Sequence, residues 1–257
     1  NLCYSYGRKK ILDDINFCLK SGEHLSVVGV NGCGKSTLLK CLCNFLNYEG
    51  SVKIDGIEIK SINPKDLTKK ITILPQQINM YFDYKVRDVV KFGRYAHSKW
   101  KFWDKKESDY INEILKDMNI YHLKDKYMSE LSGGERQKVF IARVLAQNSD
   151  IIVLDELSNN LDINSQIYMV QNINRWFKDK ILISVFHDLN LIRNLDNRVM
   201  VIKNSKIYKY GDVDSIFTRD NLKNIYGVDI QEFMISSLEK WQCRKKIFNI
   251  RKEGNEW

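Results

Sequence analysis

Gly29-Val30-Asn31-Gly32-Cys33-Gly34-Lys35-Ser36-Thr37 combines three glycines, a lysine and two hydroxyls in the spacing G-x-x-x-x-G-K-[ST]. Glycines at these positions let the backbone curl until its N–H groups face phosphate oxygens. Lys35 is long enough to reach β- and γ-phosphates, and Ser36 offers a hydroxyl to Mg²⁺. A second set of groups follows far along the chain, where the apolar run Ile151-Ile152-Val153-Leu154 ends in Asp155-Glu156. A buried strand there delivers Asp155 toward the phosphate loop as a magnesium carboxylate. Glu156 is the candidate base that orients and deprotonates a water. A third candidate is Ser132-Gly133-Gly134, between Leu131 and Glu135-Arg136-Gln137. A serine and two glycines opening a helix are either an ordinary cap or a second anion-binding site.

These groups need a scaffold. The run Leu25-Ser26-Val27-Val28 reads as a strand entering the loop, and residues 36–46 read as the amphipathic helix leaving it. Further strands are expected at 52–54, 71–74, 151–154 and 181–185. Residues 199–203 and 206–210 flank Asn204-Ser205 and read as a hairpin. The span 86–145 is mostly helical, with Ile111, Ile114 and Leu115 on one face. Strands alternating with helices imply an α/β core with a mainly parallel sheet, into which the helical span is inserted. Residues beyond Asp229 lack a pattern that assigns them an element.

Composition narrows the class. The chain has 257 residues, 44% hydrophobic and 28% charged, which suffices for a core and excludes a disordered chain. It has no apolar run of the ~20 residues that cross a bilayer. Forty-one Lys and Arg against 32 Asp and Glu give +9, spread along the chain except for Arg244, Lys245, Lys246, Arg251 and Lys252 near its end. That distribution reads as a solvated surface rather than a nucleic-acid stripe. The six cysteines, Cys3, Cys18, Cys33, Cys41, Cys43 and Cys243, lack the spacing of a zinc site or a secreted disulfide scaffold. With no signal-peptide pattern at the start, a cytoplasmic chain of reduced thiols is expected. His24, His97 and His122 share no metal-ligand spacing and read as structural.

The ordered set of motifs resembles the ATP-binding cassette (ABC) ATPases, with Leu131–Gln137 similar to that family's signature. The resemblance covers about residues 2–230. It implies a P-loop NTPase (RecA-like) α/β core with an antiparallel β subdomain and a helical subdomain at about 80–145. Residues 1–230 then form one ATPase domain and 231–257 a tail. Tyr6 matches the aromatic that stacks on adenine, Gln76 the Q-loop glutamine, Asp162 the D-loop aspartate and His187 the switch histidine. The resemblance implies two subunits sandwiching two ATP molecules, each site joining one chain's phosphate loop to the other's signature. The nucleotide-binding set is then Tyr6, Gly29, Asn31, Gly32, Cys33, Gly34, Lys35, Ser36, Thr37, Ser132, Gly133, Gly134 and Asp162. Ser36, Gln76 and Asp155 hold Mg²⁺, and Glu156, His187 and Gln76 are catalytic.

Narrower stretches resemble the importer ATPases for iron–siderophore, haem and cobalamin. They are Gly93-Arg94-Tyr95-Ala96-His97, Asp162-Ile163 with Gln166, His187-Asp188-Leu189-Asn190, and 211–228 with Tyr226-Gly227-Val228. This implies a homodimer at the cytoplasmic face of the membrane, working with a separate permease that an extracytoplasmic binding protein supplies. The permease groove is expected beside Tyr81, Phe82 and Tyr84. Trp100, Phe102 and Trp103, set among lysines, read as helical-subdomain surface. The chain departs from the family at Leu157, where proline is usual, and at Ser158-Asn159, where Thr and Ser are usual. The rival readings are an ABC exporter, a non-transport ABC ATPase acting on nucleic acid or ribosomes, and a small-molecule kinase. Nucleic acid is not an expected partner, because the chain carries one phosphate loop and no long arm insertion. A kinase leaves Leu131–Gln137 without a role.

Overall fold

A computed structural model describes residues 1–78, 80–97, 105–156, 163–186, 188–195 and 197–253, with side chains as far as Trp241. Trp100, Phe102, Trp103, Leu157, Ser158, Asn159, Asp162 and His187 lie outside the described residues. The chain falls into two compact units, Asn1–Val213 and Asp214–Trp257.

The strands of the first unit are β1 (Leu2–Tyr6), β2 (Lys9–Ile15), β3 (His24–Val28), β4 (Lys53–Ile54), β5 (Ile57–Glu58), β6 (Ile71–Leu74), β7 (Ile151–Asp155), β8 (Ile181–Val185), β9 (Arg198–Lys203) and β10 (Lys206–Asp212). Its helices are α1 (Lys35–Leu42), α2 (Pro64–Lys70), α3 (Val86–Phe92), α4 (Lys105–Asp117), α5 (Gly133–Gln147), α6 (Ile163–Trp176) and α7 (Leu189–Asn194).

One sheet runs in the order β10-β9-β3-β8-β7-β6. All its pairs are parallel except β9 with β10. The inner strands are nearly continuous in apolar residues, as a parallel sheet covered on both faces requires. Ser26 of β3 and Ser184 of β8 are buried with their hydroxyls 3.4 Å apart, and Asn197, just before β9, donates to Ser26. The β9–β10 turn has Asn204 and Ser205 both at positive φ, 49° and 65°. That is the paired left-handed geometry favoured by tight hairpins.

Two elements differ from the sequence expectation. The helix after the phosphate loop ends at Leu42, not 46, because Asn44 turns left-handed at φ 59° and Phe45 N–H bonds back to Lys40 O at 2.9 Å. The pair β1–β2 went unforeseen. It is antiparallel, with irregular register, and only Leu2, Leu12 and Ile15 of it are fully buried. With the short pair β4–β5 and the bridge Cys3–Glu49 it makes the antiparallel β part of the fold.

In the helical part, α3 and α4 both pack on α5. Gly93 closes α3 against α5 so tightly that a Cβ there would overlap Arg143 O and lie 3.0 Å from Ala146 Cβ. Arg94 then pairs with Glu107 at 2.9 Å and donates to Ala146 O at 3.1 Å, and His97 Nε2 lies 2.7 Å from Gln147 O. The stretch 93–97 thus cements the C-terminal end of α5, whose last carbonyls lack partners within the helix.

The second unit contains most of α8 (Val213–Ile216), α9 (Arg219–Tyr226) and α10 (Ile230–Glu253). Thr218 caps α9, and Arg219 ties it to the start of α10 through Asp229 at 2.6 Å and Glu232 at 2.8 Å. Among the described residues no helix is long and apolar enough to cross a membrane.

Candidate functional site

The phosphate loop joins the end of β3 to α1 at the carboxyl edge of the parallel sheet, where such sheets carry ligands. Gly34 occupies the N-cap of α1 at φ 110°, a conformation that other residues adopt only with strain. Its N–H and those around it lie at the positive end of the helix. Lys35 is 5% exposed and its Nζ donates to Gly29 O at 2.9 Å and Val30 O at 3.1 Å. The ammonium thus rests on the loop's own carbonyls, in reach of an anion seated in the loop. Cys33 sits half-buried with its Sγ against Gly29, and burial pushes its thiol up despite the Lys35 charge.

β7 lies two strands from β3, with β8 between, and its last residue pairs with Val185. This brings Asp155 Oδ1 within 3.1 Å of Ser36 Oγ across 119 residues of sequence. Asp155 is only 6% exposed, and burial raises its carboxyl above the usual range, opposed by the Ser36 hydroxyl. A desolvated carboxylate beside a hydroxyl, both hard oxygen donors, is a fit for Mg²⁺ bound with phosphate and water. Glu156, the next residue, turns left-handed at φ 54°, while its N–H still bonds to Val185 O at 3.1 Å. The turn sends its side chain away from the strand direction, where Gln76 Nε2 donates to Glu156 Oε2. Strained backbone of this kind persists where surrounding bonds over-determine it.

Tyr6, Asn31, Gly32, Gly34, Lys35, Ser36, Thr37, Gln76 and Glu156 line one cavity of about 650 Å³. Ile11 joins them and was missed from the sequence. Its signal was the apolar position in β2 one residue before buried Leu12, but β2 itself was not recognised. Tyr6 is 51% exposed and meets Tyr4 edge-on at 4.8 Å, so its face is open to a stacking partner.

Ser132, Gly133 and Gly134 do not line this cavity. They open α5, where Ser132 accepts from Glu135 N–H at 3.3 Å and Glu135 Oε2 accepts from Ser132 N–H at 2.9 Å. This is a reciprocal capping box. The phosphate loop and the signature stretch of one chain therefore belong to separate places. Asp162 and His187 lie outside the described residues, although Asp188 next door caps α7 by accepting from Asn190 N–H at 2.8 Å.

The remaining candidates have structural partners. His24 lies between Asn174 Oδ1 at 3.1 Å and Phe177 O at 3.2 Å. Cys41 and Cys43 are buried, their thiols pushed up by burial to about 11 and about 12. Past Gln76, Tyr81 is 92% exposed, and Tyr84 bridges Phe82 and Phe92 by edge contacts at 6.3 and 5.1 Å.

A family profile described as "ABC transporter" matches residues 12–159. An uncharacterized ABC transporter ATP-binding protein of Methanocaldococcus jannaschii is 38% identical over 229 residues, covering 88% of this chain and 89% of that protein. A probable siderophore transport system ATP-binding protein of Bacillus subtilis is 34% identical over 235 residues, covering 90% and 85%. Among solved structures, an inward-facing metal-chelate type ABC transporter superposes with a TM-score of 0.76 at 27% identity, covering 89% of this chain and 88% of that one.

Proposed function

Since the chain belongs to the ABC transporter family as an ATP-hydrolysing subunit, we propose that it powers uptake of an iron chelate, haem or cobalamin through a separate membrane permease. The cargo class rests on its likeness to the siderophore-system protein and to the metal-chelate transporter. It works as a homodimer at the cytoplasmic face of the membrane, with residues 1–230 as the ATPase domain and 231–257 as its tail. A binding protein outside the cell delivers the cargo to the permease.

The observation that carries the reading is the convergence of Lys35, Ser36, Gln76 and Glu156 on one cavity, with the signature donors lying outside it. A cavity so built binds ATP but lacks a group on the far side of the γ-phosphate. Ser132, Gly133 and Gly134 of a second copy supply that group. Adenine stacks on Tyr6, and Ile11 offers apolar surface beside it. The loop N–H groups of 29–37 take the phosphates, and Lys35 exchanges the carbonyls of Gly29 and Val30 for phosphate oxygens. Ser36, Asp155 and Gln76 would hold Mg²⁺, which would neutralise phosphate charge there. Glu156 accepts the proton of the attacking water, held in place by Gln76 until that water arrives. His187 contacts the γ-phosphate and Asp162 reads the partner chain. Catalysis of this kind is mostly positioning and charge stabilisation. The exposed aromatics Tyr81 and Phe82, next along the chain from Gln76, suit contact with the permease. Contact there reaches Glu156 through the Gln76 bond.

Uptake of labelled ferric chelates in cells lacking this chain, complemented with native or Lys35→Ala protein, tests the assignment. Uptake restored only by the native chain supports it. Uptake unchanged by deletion overturns the iron assignment.

A further inference from the structure

The signature stretch already holds an anion of its own. Ser132 has a single hydroxyl proton, and it goes to Glu135 Oε2 at 2.8 Å. The backbone N–H of Ser132 goes to the same oxygen at 2.9 Å. Two donors that a phosphate would need are therefore committed to one carboxylate. The Ser132 N–H, chiefly, holds the Glu135 carboxyl below its usual range, so it carries full negative charge near neutrality. Arg136 donates to Leu131 O at 3.3 Å and Lys138 lies over the Tyr168 ring at 4.2 Å, while Lys126 and His122 act on the Glu135 carboxylate through charge, less than the two Ser132 bonds do. An incoming γ-phosphate meets a carboxylate that holds the same donors and repels it.

We propose that Glu135 is a built-in competitor, occupying the signature donors of Ser132 until the γ-phosphate of ATP on a partner chain displaces it, and so raising the ATP concentration at which two chains associate. The proposal rests on the reading that two copies sandwich ATP. Displacement takes no covalent step: the Ser132 hydroxyl rotates its proton from Glu135 Oε2 to a phosphate oxygen. The carboxylate then turns to solvent, from which it is only partly shielded.

The test is ATP titration of association by light scattering, with Glu156→Gln chains to stop turnover, comparing Glu135 with Glu135→Gln. Glutamine keeps an oxygen for the Ser132 N–H and so keeps the cap, but it loses the charge. Charge-assisted bonds are about twice as strong as neutral ones, so half-association should fall to about one-fifth of the ATP concentration. Adding Ser132→Ala should shrink that fivefold difference, because the contested proton is gone. An unchanged or higher ATP requirement for Glu135→Gln overturns the proposal, and with a lowered melting temperature it identifies a plain helix cap. Failure of both Glu156→Gln chains to associate with ATP overturns the sandwich reading, and this proposal with it.

Discussion

Replacing Gly93 by alanine should damage the chain outside its nucleotide cavity. The added Cβ overlaps Arg143 O and lies 3.0 Å from both Ala146 Cβ and Gln147 N. Ordinary contacts are about 3.5–4.0 Å, so the end of α3 and helix α5 must part by about 1 Å. The obstacle is largely backbone, which cannot swing aside as a side chain does. Overpacking of this kind costs about 2–3 kcal/mol. For a unit of this size that lowers the melting temperature by about 4–12 °C. The displaced helix begins at the signature stretch, while Gly93 does not line the nucleotide cavity. Nucleotide binding by the single chain should therefore stay within about twofold, and ATP-driven association should weaken. Differential scanning fluorimetry and fluorescent-nucleotide titration measure the two quantities. A variant melting within about 1 °C of the native chain would refute the close-packing argument.

Other expectations follow from single contacts. Lys35→Ala removes the one ammonium seated in the loop, and loss of charge-assisted bonds should weaken ATP binding about 10–100-fold by calorimetry. Alkylation at pH 8 followed by mass spectrometry should label exposed Cys18 before Cys41 and Cys43, whose thiols burial raises to about 11 and about 12; prior labelling of Cys43 would contradict that burial. Asp229 has its carboxyl lowered, first by the Glu232 N–H and then by Arg219. Its folded pKa thus lies below the unfolded one, so its contribution is complete above about pH 4 and disappears as acid drives the pH through the lower value. Protection of the amides across 219–232, taken relative to their intrinsic exchange rates at each pH, should fall only in that acid range, and Asp229→Asn should remove that fall.

How much was legible depended on whether the signal was local. The phosphate loop, its entering strand and the apolar run into Asp155-Glu156 are contiguous, and each was readable from residue types alone. The β9–β10 hairpin was readable because Asn204 tolerates the left-handed turn it occupies. The pair β1–β2 was not, because Lys9, Lys10, Asp13 and Asp14 dilute its alternation and Asp14 itself breaks register at φ 56°. Ile11 was missed with it. The Gln76–Glu156 bond joins residues 80 apart, and no single-sequence pattern encodes such a pairing. The stretch 93–97 was read as a mark of one importer branch, and the fold gives it a packing reason: Gly93 fits α5, and Arg94 and His97 bind its last carbonyls. Helix α10 went unread because its apolar residues do not stay on one face. Phe233, Ile235, Leu238 and Trp241 are all exposed around it.

If one chain holds half of each ATP site, a second copy must complete it. Sedimentation of the Glu156→Gln chain with and without ATP tests this most directly, with hydrolysis measured beside it. The expected result is a dimer that forms only with ATP, together with hydrolysis slowed by about 10²–10⁴ as for loss of a general base. A Glu156→Gln chain that binds ATP yet stays monomeric, or that hydrolyses it at the native rate, would contradict a shared ATP site with Glu156 as its base.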